Sequence, residues 1–509
     1  MKKRLYTLSV IALLLSANLL TGCNDFFDPD NNDSVRQEDF ATSREDLNAG
    51  ALGIYAALSQ EVHKFLLWGS ARADLVKEGI PGQNAYIAEF VNNEVTDRNP
   101  YTNYGGLYTA IARCNHQIEN IAKVSKIDFS LDDNSINAFY GEAYYLRALC
   151  YFYLVRTFKE FPIILDDLSE KITRVTEQGD TIHLNTLDLT KEELRTIALK
   201  PANETEAWAQ IYSDVKKAMG LLRVAPKWNG VNTSNLEKYG RATLASAYAL
   251  GADIALWLGE YLKASAYADL VRTNSNYDVT SQATWGNAFT SATASPHDLA
   301  LLAYDFSQSH ETNLLQEFTS DIPADGGKYL LKPVKEILDS LFAESEDIRP
   351  AYTYKRINGK DLIWKYIGLD GETAMRKPYQ STASWHLYRS ADIYLIKGLA
   401  ENRRGNPGGG LTFLNMLRKN RGLKELEAEN IDLSMENLED LLLAERAKEL
   451  AFEGKRWYDL LLVSKVFGRK NLLPATISRK YPKAERATRY TRLSDENNWY
   501  LPTNPKRWE

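Results

Sequence analysis

Cysteine is scarce in this chain, with three in 509 residues, so no disulfide framework holds the fold and a packed core must. The six histidines, His63, His116, His183, His297, His310 and His386, are scattered. None has a second ligand at metal spacing, and there is no His-Glu-x-x-His, Cys-x-x-Cys or calcium-loop pattern. No Gly-x-Ser-x-Gly elbow occurs either. The sequence therefore gives no reason to expect a metal or other cofactor. Positive charge is not in excess: 61 Lys and Arg face 67 Asp and Glu, a formal net charge of −6. That balance argues against nucleic acid, whose phosphates demand a basic face. Beyond residue 22 no apolar run is long enough to cross a bilayer.

What is present begins at the N-terminus. Lys2, Lys3 and Arg4 precede an almost uninterrupted apolar run from Leu5 to Leu20, and Leu20-Thr21-Gly22-Cys23 closes it with small residues before a cysteine. A charged start, a short apolar stretch and a small-residue exit describe an export signal rather than a membrane span. The last four of these residues resemble a bacterial lipobox. Residues 1–22 are then expected to be removed and Cys23 to carry lipid, and loss of Lys2, Lys3 and Arg4 takes the formal charge from −6 to −9. Stable anchoring needs two or more membrane signals, each buried methylene adding about 0.8 kcal/mol, and a triacylated cysteine meets that need alone. Asn24 to Asp33 is acidic and turn-rich, so residues 23–39 read as a flexible tether. Cys114 and Cys150 remain, and a disulfide or two buried free thiols are both open readings.

The rest is mainly helical by pattern. Ser43-x-x-Asp46 has the form of a capping box before a helix over 44–61. Residues 66–103 break into short segments around Gly79-Ile80-Pro81-Gly82 and Asn99-Pro100. Helices are expected at 104–124, 135–158, 206–224, 240–257 and 260–273. The second of these is apolar around its whole circumference, as a helix buried on most sides should be. Leu244 to Val271, with small residues and a Gly259-Glu260-Tyr261 turn, looks like a tetratricopeptide unit. Residues 166–205 read as a polar loop and 274–384 as an irregular half with short strands at 299–304 and 361–366. Helices resume at 388–404, 409–420, 437–453 and 455–464, and the last 40 residues read as surface coil. The architecture is helical pairs interrupted by long loops, and long loops in compact proteins are usually functional. Tyrosine dominates the aromatics, with 29 Tyr against 17 Phe and 10 Trp. Such rings suit both recognition and packing.

Two motifs invite chemistry. Gly405 to Gly410 is glycine-rich but follows no strand and lacks a Lys-Ser/Thr ending, so it reads as an interhelical turn rather than a phosphate cradle. Glu445, Glu449 and Glu453 share one helical face. As acid and base they would serve a glycan hydrolase. Structurally they would pair with Arg446, Arg456 and cations of a neighbouring helix, with Gly454 as the cap.

The same residues carry a likeness. Glu-Arg-x-x-Glu-Leu-x-Phe-Glu-Gly-x-Arg-x-x-Asp-Leu at 445–460 resembles the C-terminal signature of the SusD/RagB family of Bacteroidetes outer-membrane lipoproteins. Gly141 to Ala148 with Phe161-Pro162, Arg389 to Leu395, and Leu414 to Gly422 resemble its other segments, in family order. The C-terminus departs from the pattern: Tyr500-Leu501-Pro502 is similar to the family's close, but Asn504-Pro505-Lys506-Arg507-Trp508-Glu509 is not.

The resemblance implies a mainly α, tetratricopeptide-like scaffold with irregular ligand-binding loops and few short strands. It implies one SusD-like unit over 40–509, with an N-terminal part at 40–225 and a C-terminal part at 226–509. It also implies no catalysis, display on the cell exterior, and capture of oligosaccharide, or peptide in some members, for a SusC-like TonB-dependent transporter. Sugars offer apolar faces to aromatics and hydroxyls to Asp, Asn and Arg, and the family's ligand face comes from loops of the N-terminal third and the irregular middle. The candidate ligand-binding residues on that basis are Trp68, Asp74, Asn99, Tyr101, Asn103, Tyr104 and Trp285. The 97–104 cluster is favoured because Tyr and Asn alternate there, although a solvated turn before a helix has the same composition. Two other readings stand: a surface glycan hydrolase using the paired carboxylates, and an adhesion or structural protein without a small ligand.

Overall fold

The computed structural model describes residues 41–166, 171–175, 181–185, 201–224, 240–273, 277–291, 294–295, 297–304, 315–323, 326–377 and 382–503. The expected signal, Cys23, the tether and Asn504 to Glu509 lie outside the described residues, as does most of the expected polar loop at 166–205.

The chain enters through α1 (Arg44–Ser59), where the anticipated capping box forms: Ser43 accepts from the Asp46 amide and the Asp46 carboxylate accepts from that of Ser43. Leu47, Ala51, Ile54 and Leu58 give it a buried stripe. A short helix α2 (Val62–Leu66) runs into a π-helical turn, Leu67–Ala71. Strand β1 (Val76–Glu78) and helix α3 (Ala85–Asn92) follow. Next come two long helices, α4 (Gly105–Val124) and α5 (Asp133–Thr157). Burial of α5 on nearly every side matches its unbroken apolar circumference.

The charged residues of the Gly141–Ala148 segment tie α5 to its neighbours. Glu142 accepts from Tyr55 Oη and Arg241 Nε, both at 2.8 Å. Arg147 grips Asp214 with two bonds of 2.8 and 2.9 Å. Stripping one partner from such a buried pair typically costs about 3–5 kcal/mol. Asp214 belongs to α6 (Glu204–Leu221), which is followed by the packed pair α7 (Leu244–Trp257) and α8 (Tyr261–Thr273). Alanines 245, 249, 252, 255, 264 and 268 are buried in that pair, so the two helices approach closely. Gly259 turns between them at φ +73°. Cys114 and Cys150 are both buried and free.

The irregular half contributes β2 (Asp298–Leu302), α9 (Leu315–Thr319) and β3 (Leu331–Pro333). The hairpin β4 (Tyr354–Ile357) and β5 (Lys360–Ile363) comes next, then β6 (Trp385–Arg389). Strand β1 pairs antiparallel with β3, Val76 opposite Pro333, and β2 pairs with β6. The strand expected at 361–366 stops at Ile363, where Trp364–Ile367 coils into a helical turn. The helix expected from 388 begins at Ser390, because residues 385–389 are held in the β2 ladder.

Helices α10 (Ser390–Arg403) and α11 (Pro407–Lys419) form a second packed pair, followed by α12 (Met435–Glu449) and α13 (Arg456–Lys465). Paired helices in this arrangement are tetratricopeptide-like. The glycine-rich run is mostly not a turn: Asn406 caps α11, Pro407 opens it, and Gly408 to Gly410 lie in its first turn. Gly454 does not cap α12, which ends at Glu449. It sits at φ +69° at the end of the turn that follows the helix, its amide donating to Ser70 Oγ at 3.0 Å. A β-carbon at Gly69 would fall 1.8 Å from the Gly454 carbonyl oxygen, so both positions need bare backbone.

The last 40 residues are not simply coil. They form α14 (Leu472–Ser478) and α15 (Arg486–Leu493). Only Leu493 of α15 is buried, which is why the apolar pattern did not announce that helix. Leu501 is buried and donates its amide to the Thr157 carbonyl at 2.8 Å, so Tyr500-Leu501-Pro502 docks on the end of α5.

Candidate functional site

Two constellations emerged from the sequence, and the structure treats them oppositely. Glu445, Glu449 and Glu453 lie in the interior. Glu449 accepts from Arg389 Nη1 at 2.6 Å, Arg421 Nε at 2.8 Å, Arg349 Nη1 at 3.1 Å and Trp285 Nε1 at 2.9 Å. Glu453 holds Lys365 at 2.8 Å and Arg389, and Glu445 pairs with Arg349 at 2.7 Å. Burial pushes the Glu449 carboxyl up, but the guanidiniums of Arg421 and Arg389 outweigh it and leave the group well below the usual carboxylate range. Glu453 is likewise raised by burial and then drawn down to about 2 by Arg389 and Lys365. A general acid must hold a proton near neutral pH, and neither of these carboxyls does. The expected partners were wrong in part. Arg446 pairs with Asp459 and Arg456 with Asp74, while the cations come from β6, the irregular half, the loop after α11 and, as expected of a neighbouring helix, α11 itself, whose Arg418 lies 3.7 Å from Glu445. Arg389, Arg418 and Arg421 stand in the family-like segments.

The 97–104 cluster forms a surface. Asn99 is buried, and its amide nitrogen donates to the Tyr86 carbonyl at 2.9 Å and Glu89 at 3.0 Å. Its oxygen accepts from the Tyr101 amide, capping the 3-10 turn Pro100–Thr102. Trp68, fully buried in the π-turn, donates its indole N–H to the Tyr101 carbonyl at 2.9 Å. These two hold the turn from beneath.

Tyr101 is thereby presented half-buried, edge-on to His63 at 5.8 Å and Phe318 at 6.1 Å between centroids. Burial raises its hydroxyl pKa, with the Glu317 carboxylate adding to the effect and Lys328 opposing it. His63 is held at about 4 by burial and by the neighbouring Lys64, so its ring is neutral at pH 7. Asn103 is exposed, its carbonyl accepting from Lys64 at 2.7 Å and its side chain from the Gly105 amide. Tyr104, half-buried against Phe158 at 4.8 Å, opens α4, and burial lifts its hydroxyl to about 12. Beyond Phe158 lies a cleft of about 300 Å³ lined by Val95, Lys159, Glu160, Asn497 and Tyr500.

Of the seven candidates, the structure therefore brings Tyr101, Asn103 and Tyr104 together at the surface, over Trp68 and Asn99. Trp285 stands elsewhere, buried on Glu449. Asp74 is gripped by Arg456 at 2.9 and 3.0 Å and lines a separate cleft of about 420 Å³ floored by Leu443, Leu460 and Leu472. Sequence reasoning missed His63, Glu317, Phe318 and Lys328. The last three reach Tyr101 because β1 and β3 bring the N-terminal third and the irregular middle together, and no local pattern signals that pairing. Among the described residues no cluster of three or more His, Cys, Asp or Glu could hold a metal ion, and no helix is long and apolar enough to cross a membrane.

The fold is shared with known proteins. A sequence model described as "SusD family" matches residues 343–504, and one described as "Starch-binding associating with outer membrane" matches residues 25–256. Two SusD-like proteins of Formosa agariphila are each 24% identical to this chain. They align over 89% of it and 90% of the relative in one case, and 93% and 94% in the other. A SusD superfamily protein from Bacteroides vulgatus superposes with a TM-score of 0.71 at 18% identity, covering 92% of this chain and 97% of its own. A laminarin-binding SusD-like protein superposes with a TM-score of 0.65 at 19% identity, covering 91% and 96%. With matching sequence models in both its N-terminal and C-terminal parts, the chain belongs to the SusD family.

Proposed function

We propose that this protein is a surface lipoprotein, anchored through Cys23 in the outer membrane, that captures oligosaccharide and delivers it to a SusC-like TonB-dependent transporter. The observation that carries the reading is the Tyr101–Asn103–Tyr104 face. It offers two half-exposed rings beside an exposed amide, with Lys64, Glu317 and Lys328 close by, which is the mix of apolar faces and hydroxyl partners that a sugar requires. The family description as starch-binding and the laminarin-binding relative support a glycan over other cargo. Binding without cleavage is expected, since Glu449 and Glu453 are held well below the usual carboxylate range and the cluster is sealed inside the frame.

Calorimetry of the purified protein against starch fragments, laminarin fragments and a peptide pool tests this. The expected result is glycan binding that weakens in Tyr101→Ala and Asn103→Ala, with no shorter products formed. Peptide binding alone, or hydrolysis, would overturn it.

A further inference from the structure

Among the described residues, the most exposed large hydrophobic side chain stands at the other end of α4 from the Tyr101 face. Phe129 is 91% exposed, and Ile127, two residues before it, is 56% exposed. Both sit on the connection between α4 and α5. An exposed large apolar pair costs solubility unless something covers it.

This tip is held firmly. The amides of Ile127 and Asp128 donate to the Val124 carbonyl, and that of Leu131 donates to Asp128. Asp128 accepts from the Ser130 amide at 2.9 Å and from the Arg44 amide at 2.8 Å, and Arg44 reaches the Ser130 carbonyl with its guanidinium. Six hydrogen bonds of backbone and side chain thus fix two apolar residues pointing outward.

Arg44 also opens the first helix, close to the start of the described chain. Residue 41 is buried against the core three positions before it, so the tip and the root of the tether share one end of the body. Eighteen residues separate Cys23 from Ala41, a reach of at most about 60 Å. That is no more than the roughly 60 Å diameter of a body this size. A lipid at Cys23 therefore keeps this end, more than any other, within touch of the bilayer.

We infer that the Ile127–Phe129 tip rests in the headgroup layer of the outer membrane as a second, protein-borne contact beside the lipid. The inference rests on the lipoprotein reading above. The exposed charges flanking the tip are of both signs, Lys126 on one side and Asp132 and Asp133 on the other. The contact is accordingly apolar rather than electrostatic, and salt should not release it.

The test attaches an environment-sensitive nitrobenzoxadiazole dye at Ser130→Cys in the mature chain, where Cys114 and Cys150 are buried and shielded from the dye. Vesicles of phosphatidylethanolamine and phosphatidylglycerol carry shallow spin-labelled lipid as quencher. One sample carries its lipid; the other replaces Cys23 with a His tag on nickel-chelating lipid. A blue-shifted, quenchable dye in the tagged sample, unchanged at high salt and lost in Ile127→Ser/Phe129→Ser, is the expected result. A dye that stays water-like and unquenched while the tagged protein floats with the vesicles would overturn the inference, leaving the tip to a protein partner such as the transporter. Failure of acylation would show separately, as a cysteine-bearing sample that does not float while the tagged one does. In the non-acylated chain without a tag, Phe129→Ser should lower vesicle partitioning about tenfold, from burial of one ring.

Discussion

The Glu449 cluster and the Tyr101 face put different residue types to opposite ends. The first packs three carboxylates against Arg349, Arg389, Arg421 and Lys365 with no access to solvent. The second sets two tyrosines and an amide over a buried Trp and Asn and leaves them half open. The densest motif in the sequence is therefore frame, and the sparse loop is the surface on which we propose that a ligand lands. Charge density along a helix reports how tightly segments are tied. It does not report where chemistry happens.

The contrast breaks most readily at Glu449. Glu449→Ala removes a carboxylate shared by three buried guanidiniums and leaves Arg421 without its acidic partner, which should cost about 3–5 kcal/mol, measured by urea unfolding. A loss below 1 kcal/mol would mean that the cluster is not the frame. Gly69→Ala should come next, because its β-carbon has no room before the Gly454 carbonyl. An overpacking cost of about 1–3 kcal/mol is expected, with no direct change at the Tyr101 surface.

Acid should separate the regions too. Glu453 sits at about 2 in the folded protein against 4.5 unfolded. Its contribution is fully present above pH 4.5 and is lost as pH falls toward 2. Thermal midpoints should hold between pH 5 and 7 with respect to this group and drop below 4.5, and a midpoint rising on acidification would contradict the assignment. The smallest effect on stability belongs to Asn103→Ala, an exposed side chain with one backbone bond, expected within about 0.5 kcal/mol of the parent.

Much of the frame was legible because its signals are local. Ser43-x-x-Asp46 announced a capping box, the unbroken apolar girth of residues 135–158 announced a buried helix, and Gly259 announced a turn. The errors arose where a distant partner decided. Residues 385–389 are strand because β2 lies beside them, and Glu445 to Glu453 chose cations up to 100 residues away in sequence rather than those within their own motif. The polar α15 carries almost no apolar stripe to read.

The site was legible only as a composition. Tyr and Asn in alternation pointed to 97–104, where Asn103 is exposed and Tyr101 and Tyr104 are half-buried. Which of the seven candidates would be buried could not be read, since burial of Trp68, Asn99, Asp74 and Trp285 is set by π-turn, loop and network partners from other segments. The Tyr101 environment depends on a strand pairing between residues 76–78 and 331–333, and a short run of that kind leaves no periodic trace.

The most direct test of the division between frame and face is glycan affinity and unfolding free energy measured side by side in Asn103→Ala and Tyr101→Ala. The account predicts unfolding free energy near the parent's for Asn103→Ala, and affinity for the bound glycan reduced about tenfold in Tyr101→Ala for loss of one ring contact. Unchanged affinity in both variants, in a protein that still binds glycan, would place the site elsewhere and contradict it.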